Sequence, residues 1–172
     1  DYLHSIYEFI ASQSVLELIG LVAGLMAVYL LIRENILTWP AGLVYVVVSL
    51  PVFLEAKLYQ DFVLHIFFFG MNVYGWVRWA RGRRGDQAPL HIVRMNTKEY
   101  LITLVVSVVG IGISGYVFDT YTDAELVFGD ATTTILSFVA MWLTAEKKLE
   151  NWVLWLVVDI VAAILNYIKG IY

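Results

Sequence analysis

The 172-residue chain contains no cysteine, which excludes disulfides and thiolate metal sites. Charge is scarce as well. Only 15% of the residues are Asp, Glu, Lys or Arg, where a soluble domain carries roughly a quarter. The sequence has no Walker A phosphate loop, no HExxH helix and no cluster of metal ligands, so ATP-driven and metal-dependent chemistry find no support in it. No nucleophile and base stand together, which argues against an enzyme, and no cofactor is implied. No basic n-region or cleavage site precedes the first apolar run, and Asp1 is read as a boundary within a longer chain.

Apolar residues fill the space. They make up 60% of the chain and give a mean hydropathy of +0.76, the composition of an all-α polytopic membrane protein. Six apolar stretches, at 14–32, 39–55, 61–80, 99–118, 130–145 and 151–168, each come near the ~20 residues that cross a bilayer. Charged punctuation separates them, including Arg33-Glu34-Asn35, the stretch from Arg81 to Lys98 and that from Glu146 to Glu150. Residues 1–13 differ: Tyr2, Leu3, Ile6, Tyr7 and Ile10 recur at helical spacing, which suits a short helix lying in the interface.

Basic residues set the orientation. If 81–98 is cytoplasmic, alternation places 33–38 and 146–150 on the same side, which then collects nine of the eleven Lys and Arg. The other side keeps Lys57, Lys169 and an acidic group of Asp119, Asp123, Glu125 and Asp130. The amino terminus is therefore expected outside. The RGRRGD run is read as a topogenic signal, and no nucleic-acid partner is expected.

Sliding the chain on itself by 113 residues lays GLMAVYLLIRENILTW (24–39) over SFVAMWLTAEKKLENW (137–152), matching Ala27 with Ala140, Leu30 with Leu143 and Trp39 with Trp152. Hydropathy follows the same register, so helices 1 and 2 map onto helices 5 and 6 in the same orientation. This is the parallel-repeat plan, with a substrate site expected between the repeats near the bilayer midplane. It divides the chain into an interfacial segment (1–13), a first three-helix repeat (14–80), a basic loop with a linker helix (81–129) and an incomplete second repeat (130–172). A seventh helix, the partner of helix 3, is expected after Tyr172.

Polar residues inside the apolar runs fall on faces. His65, Phe69, Asn72, Trp76 and Trp79 step by 4, 3, 4 and 3 along helix 3. Helix 5 carries Asp130, Thr134, Ser137, Met141 and Thr144, and helix 6 carries Trp152, Trp155, Asp159 and Asn166 after its opening Asn151. Amides and charges in the hydrocarbon cost ~2.5–3.5 kcal/mol or more unless they face a cavity or partners. These faces are expected to converge on an internal, partly hydrated site. Other readings stand beside that one. The tryptophans are also placed for an interfacial belt, Trp79 above all; the threonines also suit helix–helix hydrogen bonds; His65 also suits a packed interior.

The runs FFFGMNVYGWVRWARG (67–82), LSFVAMWL (136–143) and ENWVLW (150–155) closely resemble the PnuC family of bacterial nicotinamide riboside transporters, with its N-x-YGW-x-x-W and ENW-x-x-W patterns. Position 65 departs from the family's glutamine, and Asp159 stands where related sequences carry Asn. The resemblance implies seven helices arranged as three plus one plus three, a fold similar to the SWEET sugar transporters, and a bacterial inner-membrane location. It also implies facilitated entry of nicotinamide riboside for NAD salvage, coupled to a cytoplasmic riboside kinase; homo-oligomerisation stays open. A cationic planar ring suits tryptophan faces. Its ribose hydroxyls and carboxamide suit Asn72, Asp159 and the Thr and Ser face of helix 5. A proton-coupled carrier of another small nucleoside or heterocyclic vitamin, using Asp159 or His65, is the alternative.

Overall fold

The computed structural model describes residues 14–55, 59–82, 91–121 and 126–170. The interfacial helix expected over 1–13, and with it Lys57 and most of the RGRRGD run, lies outside the described residues. Six helices follow in order: α1 (Val15–Ile32), α2 (Thr38–Glu55), α3 (Tyr59–Arg81), α4 (Thr97–Tyr121), α5 (Val127–Ala145) and α6 (Asn151–Lys169). Five are long and apolar enough to cross a membrane; α3, with 23 residues, has the length. Its apolarity is diluted by the polar residues of its stripe.

Local chemistry fixes the ends. At α1 the Ser14 hydroxyl accepts from the Glu17 amide at 3.2 Å while the Glu17 carboxylate accepts from the Ser14 amide at 2.6 Å, so two of the helix's orphan donors are met reciprocally. Asn96 and Glu99 repeat the device at α4, at 2.8 and 2.9 Å. Helix α6 stops at Gly170, whose φ of 72° is the left-handed conformation that glycine adopts without steric cost.

The chain divides into two compact units, Asp1–Gln87 and Ala88–Tyr172. In the first, α2 packs against both α1 and α3; in the second, α5 packs against both α4 and α6. Helix α4, grouped with the basic loop in the sequence-based division, packs against α5 within the second unit. Met95, Val139 and Leu143 form a buried cluster in the second unit, with Leu154 against it.

The two helix hairpins share one turn. Glu34 and Lys147, 113 positions apart, both take positive φ, 50° and 53°, which is uncommon for residues with a Cβ. The surrounding backbone bonds recur in the same register. Asn35 donates to Leu30 at 2.8 Å and Lys148 to Leu143 at 2.9 Å; Thr38 donates to Asn35 at 3.0 Å and Asn151 to Lys148 at 3.1 Å. A weak identity between 24–39 and 137–152 therefore corresponds to a shared local conformation.

Candidate functional site

The stripe of α3 splits along its length. At about 100° per residue, positions 65, 72 and 79 follow one line and 69 and 76 another about 40° round the helix. The first line is buried: His65, Asn72 and Trp79 are 6%, 6% and 5% exposed. Phe69 and Trp76 remain 42% exposed. Packing of α2 on α3 draws this border. The belt reading of Trp79 is corrected here, because its ring stands edge-on to Trp39, centroids 5.3 Å apart, instead of at an exposed surface.

His65 sits among aromatic rings. Phe53, Phe68 and Tyr45 lie with centroids 4.5, 5.5 and 5.7 Å from the imidazole. Its Nδ1 is 2.8 Å from the Asp61 carbonyl. A carbonyl only accepts, so Nδ1 carries the proton and Nε2 is left as an acceptor. Asn72 donates from Nδ2 to the Phe68 carbonyl at 2.8 Å. Its Oδ1 is pressed so close to Gly42 that a Cβ at position 42 would collide with it. One turn further along, the Trp39 ring occupies the space a Cβ at Gly75 would need. Close approach of α2 and α3 therefore depends on a glycine from each helix, the usual basis of tight packing in membranes.

In the second unit Trp155 donates from Nε1 to the Thr144 hydroxyl at 3.1 Å, and Thr144 donates to the Ala140 carbonyl at 2.8 Å. Ser137 is buried and donates to the Thr133 carbonyl at 2.6 Å, while Thr134 is half-buried. The Ser137 and Thr144 donors are spent on their own helix, which leaves their oxygens as acceptors, and that of Thr144 accepts from Trp155. Asn151 is buried and donates from Nδ2 to the Lys148 carbonyl at 2.6 Å. Trp152, Asp159 and Asn166 lie on the exposed side of α6, off the contact with α5. Trp155, about 60° round the helix from Trp152, turns toward α5. At the far end of this hairpin Lys169 pairs with Asp130 at 2.7 Å.

Among the described residues, the buried side-chain polar atoms without a hydrogen-bond partner are Trp39 Nε1, His65 Nε2 and Asn151 Oδ1. Such atoms cost ~1–3 kcal/mol each when unmet. His65 and Asn151 were singled out from sequence. Trp39, Gly42, Gly75 and Tyr45 were not, although Trp39 was already visible as the repeat partner of Trp152.

Apolar helices long enough to cross a bilayer, with amides, an imidazole and indoles buried along them, define a polytopic membrane protein of the kind that handles small polar solutes. Comparison with known proteins narrows the class. Residues 14–172 match the nicotinamide mononucleotide transporter family. The chain is 30% identical over 181 residues to the nicotinamide riboside transporter PnuC of Escherichia coli (strain K12), covering 91% of this chain and 76% of that one. It is 26% identical over 159 residues to the riboflavin/roseoflavin transporter RibM of Streptomyces davaonensis, covering 90% and 73%. The crystal structure of the vitamin B3 transporter PnuC matches the fold with a TM-score of 0.76 at 21% identity, over 95% of this chain and 71% of that one. The chain belongs to the nicotinamide mononucleotide transporter family, whose members are multi-pass membrane transporters and not enzymes.

Proposed function

We propose that this protein carries nicotinamide riboside across the bacterial inner membrane by alternating access. The observation that carries the reading is an unmet buried acceptor in each unit, His65 Nε2 in the first and Asn151 Oδ1 in the second, each set in apolar helices that also present half-exposed aromatic rings. Acceptors without partners call for a ligand rich in hydroxyl and amide donors. Rings such as Phe69, Trp76 and Trp152 suit a planar cation, an interaction contributing ~2 kcal/mol or more when desolvated. In the first unit the candidate substrate contacts are Asn72, His65, Phe69 and Trp76; in the second, taken by itself, they are Thr134, Ser137, Asn151, Trp152, Trp155 and Asp159. The charge of Asp159 offsets part of the burial cost of a cationic ring.

The riboside is favoured over its phosphorylated form for an electrostatic reason. Lys and Arg stand only in the end turns of the helices: Arg78, Arg81, Lys98 and Lys169. A phosphate crossing the hydrocarbon would meet no cation there, and an uncompensated charge costs several kcal/mol. The shared turn of the two hairpins supports a parallel-repeat arrangement of three plus one plus three helices, with α4 as the linker. The charge bias supports an amino terminus outside. Flux then follows the substrate gradient, which a cytoplasmic riboside kinase maintains by consuming the product.

Calorimetric titration of the purified protein tests the substrate. Nicotinamide riboside should bind, with nicotinamide mononucleotide weaker by about tenfold or more. Equal or tighter binding of the mononucleotide overturns the reading.

A further inference from the structure

A polar network that the substrate-contacting set does not use joins the start of α4 to the start of α6. Val93 bridges the α5–α6 turn: its amide donates to the Lys147 carbonyl at 3.1 Å and its carbonyl accepts from the Leu149 amide at 2.9 Å. Two residues on, the Met95 amide donates to both oxygens of the Glu150 carboxylate, at 3.1 and 3.2 Å. The Tyr100 hydroxyl, in the first turn of α4, donates to the same carboxylate at 2.7 Å. Lys148 pairs with Glu99 at 2.7 Å. The Met95 side chain, 8% exposed, plugs into Val139, Leu143 and Leu154 beneath these bonds. One carboxylate thus receives an amide and a phenol from α4 and the residues leading into it, while heading the helix that opens with Asn151 and Trp152. Its position at the amino-terminal end of α6 is also the end where the helix dipole favours a negative charge.

We propose that Glu150 is a positioning residue for transport. Without touching the substrate, it locks α4 onto the α5–α6 hairpin, so that the second unit moves as one body and the lock stays shut through the transport cycle. The transport part of this proposal rests on the nicotinamide riboside reading; the lock does not.

The absence of native cysteine makes the test clean. Val93→Cys with Lys148→Cys places a pair across the bridge, where neighbouring strands lie ~4.8 Å apart, inside the Cα range a disulfide spans. Two measurements are made on the parent, on Glu150→Ala, and on Glu150→Ala carrying the cysteine pair, oxidised and reduced. Without substrate, hydrogen exchange over 93–100 should accelerate in Glu150→Ala by about tenfold or more, the loss expected for bonds to a charged acceptor. Oxidation of the pair should restore protection. In proteoliposomes, uptake of labelled nicotinamide riboside should slow in Glu150→Ala with the dissociation constant kept within about twofold, and oxidation should return the rate. Glu150→Gln, which keeps an acceptor oxygen for Tyr100, should retain more activity than Ala.

Unchanged exchange in Glu150→Ala overturns the lock. An oxidised pair that blocks uptake shows that the lock must open, and overturns the proposal. Weakened binding that oxidation does not repair makes Glu150 a substrate residue, and overturns it as well. If exchange behaves as stated but the parent takes up no nicotinamide riboside, the substrate reading fails and the lock stands.

Discussion

Replacing Asn72 with leucine removes one carboxamide from the α2–α3 contact and leaves a side chain of similar reach. In the folded protein that carboxamide gives one donor to the Phe68 carbonyl at 2.8 Å, and its oxygen is pressed toward Gly42. The Phe68 bond closes within its own helix, and leucine is at ease in a membrane helix, so the fold should survive. The second amide hydrogen and the oxygen are what a ligand would use. Losing that bond while the ligand's own polar group stays buried costs ~1–3 kcal/mol, a rise in Kd of about 5- to 150-fold. Gly42→Ala reaches the same group from the other side, since the added Cβ occupies the position of the Asn72 oxygen and forces the carboxamide to turn. The two changes act on one group and should not add. The double variant should bind no more than about twofold worse than the weaker single variant, where independent sites would multiply their effects. Calorimetric titration with nicotinamide riboside measures all three variants once thermal melts show them folded. A folded Asn72→Leu with the parent's Kd would show that Asn72 makes no bond to the riboside and that α3 supplies scaffold alone.

Three further outcomes are expected. His65→Phe removes the unmet Nε2 acceptor from a cage of rings, so the melting temperature should hold or rise while Kd for the riboside rises by about 5- to 150-fold; unchanged affinity would make His65 a packing residue. Trp152→Ala should weaken binding of the cationic riboside by up to about 30-fold, and that of an uncharged analogue of the same shape clearly less, if the indole face meets the charge. Burial pushes the Glu150 carboxyl up, but the Tyr100 hydroxyl, backbone amides and the Arg94 charge together hold it below its ordinary value of 4.5. A depressed folded value stabilises above the unfolded pKa and is lost as pH falls through the folded one. The melting-temperature gap between the parent and Glu150→Ala should therefore be full near neutrality and close only below pH 4.5.

Hydropathy alone located the helices to within a few residues, because an apolar run bounded by charges has few alternatives in a bilayer. The misses are at the water-facing ends. Helix α4 was expected over 99–118 and spans Thr97–Tyr121, since the Asn96–Glu99 cap that starts it is built from polar residues. The weak identities between 24–39 and 137–152 coincide with one shared hairpin turn, marked by the matched positive φ at Glu34 and Lys147. The α3 stripe was legible as a pattern but not as a surface. Which half of it is covered depends on where α2 comes closest, and that is set by Gly42 and Gly75, residues whose contribution is the absence of a side chain. The place of Trp39 over Gly75 is likewise a contact between helices, beyond the reach of periodicity. Asp159 and Trp152 were grouped with Trp155 by spacing, yet in the second unit only Trp155 turns to α5, drawn by the Thr144 hydroxyl at 3.1 Å. Glu150 was legible only as a letter of the ENW run, because its partners Met95 and Tyr100 lie 55 and 50 positions away.

Facilitated passage of nicotinamide riboside is read from uptake of the labelled compound into proteoliposomes. With no ATP and no ion gradient, the internal concentration should rise to the external one and stop there, at a rate that an imposed pH gradient leaves unchanged and that excess unlabelled riboside competes away. Accumulation above the external concentration under a pH gradient would contradict the account in favour of proton coupling, and uptake no faster than in protein-free liposomes would contradict the substrate itself.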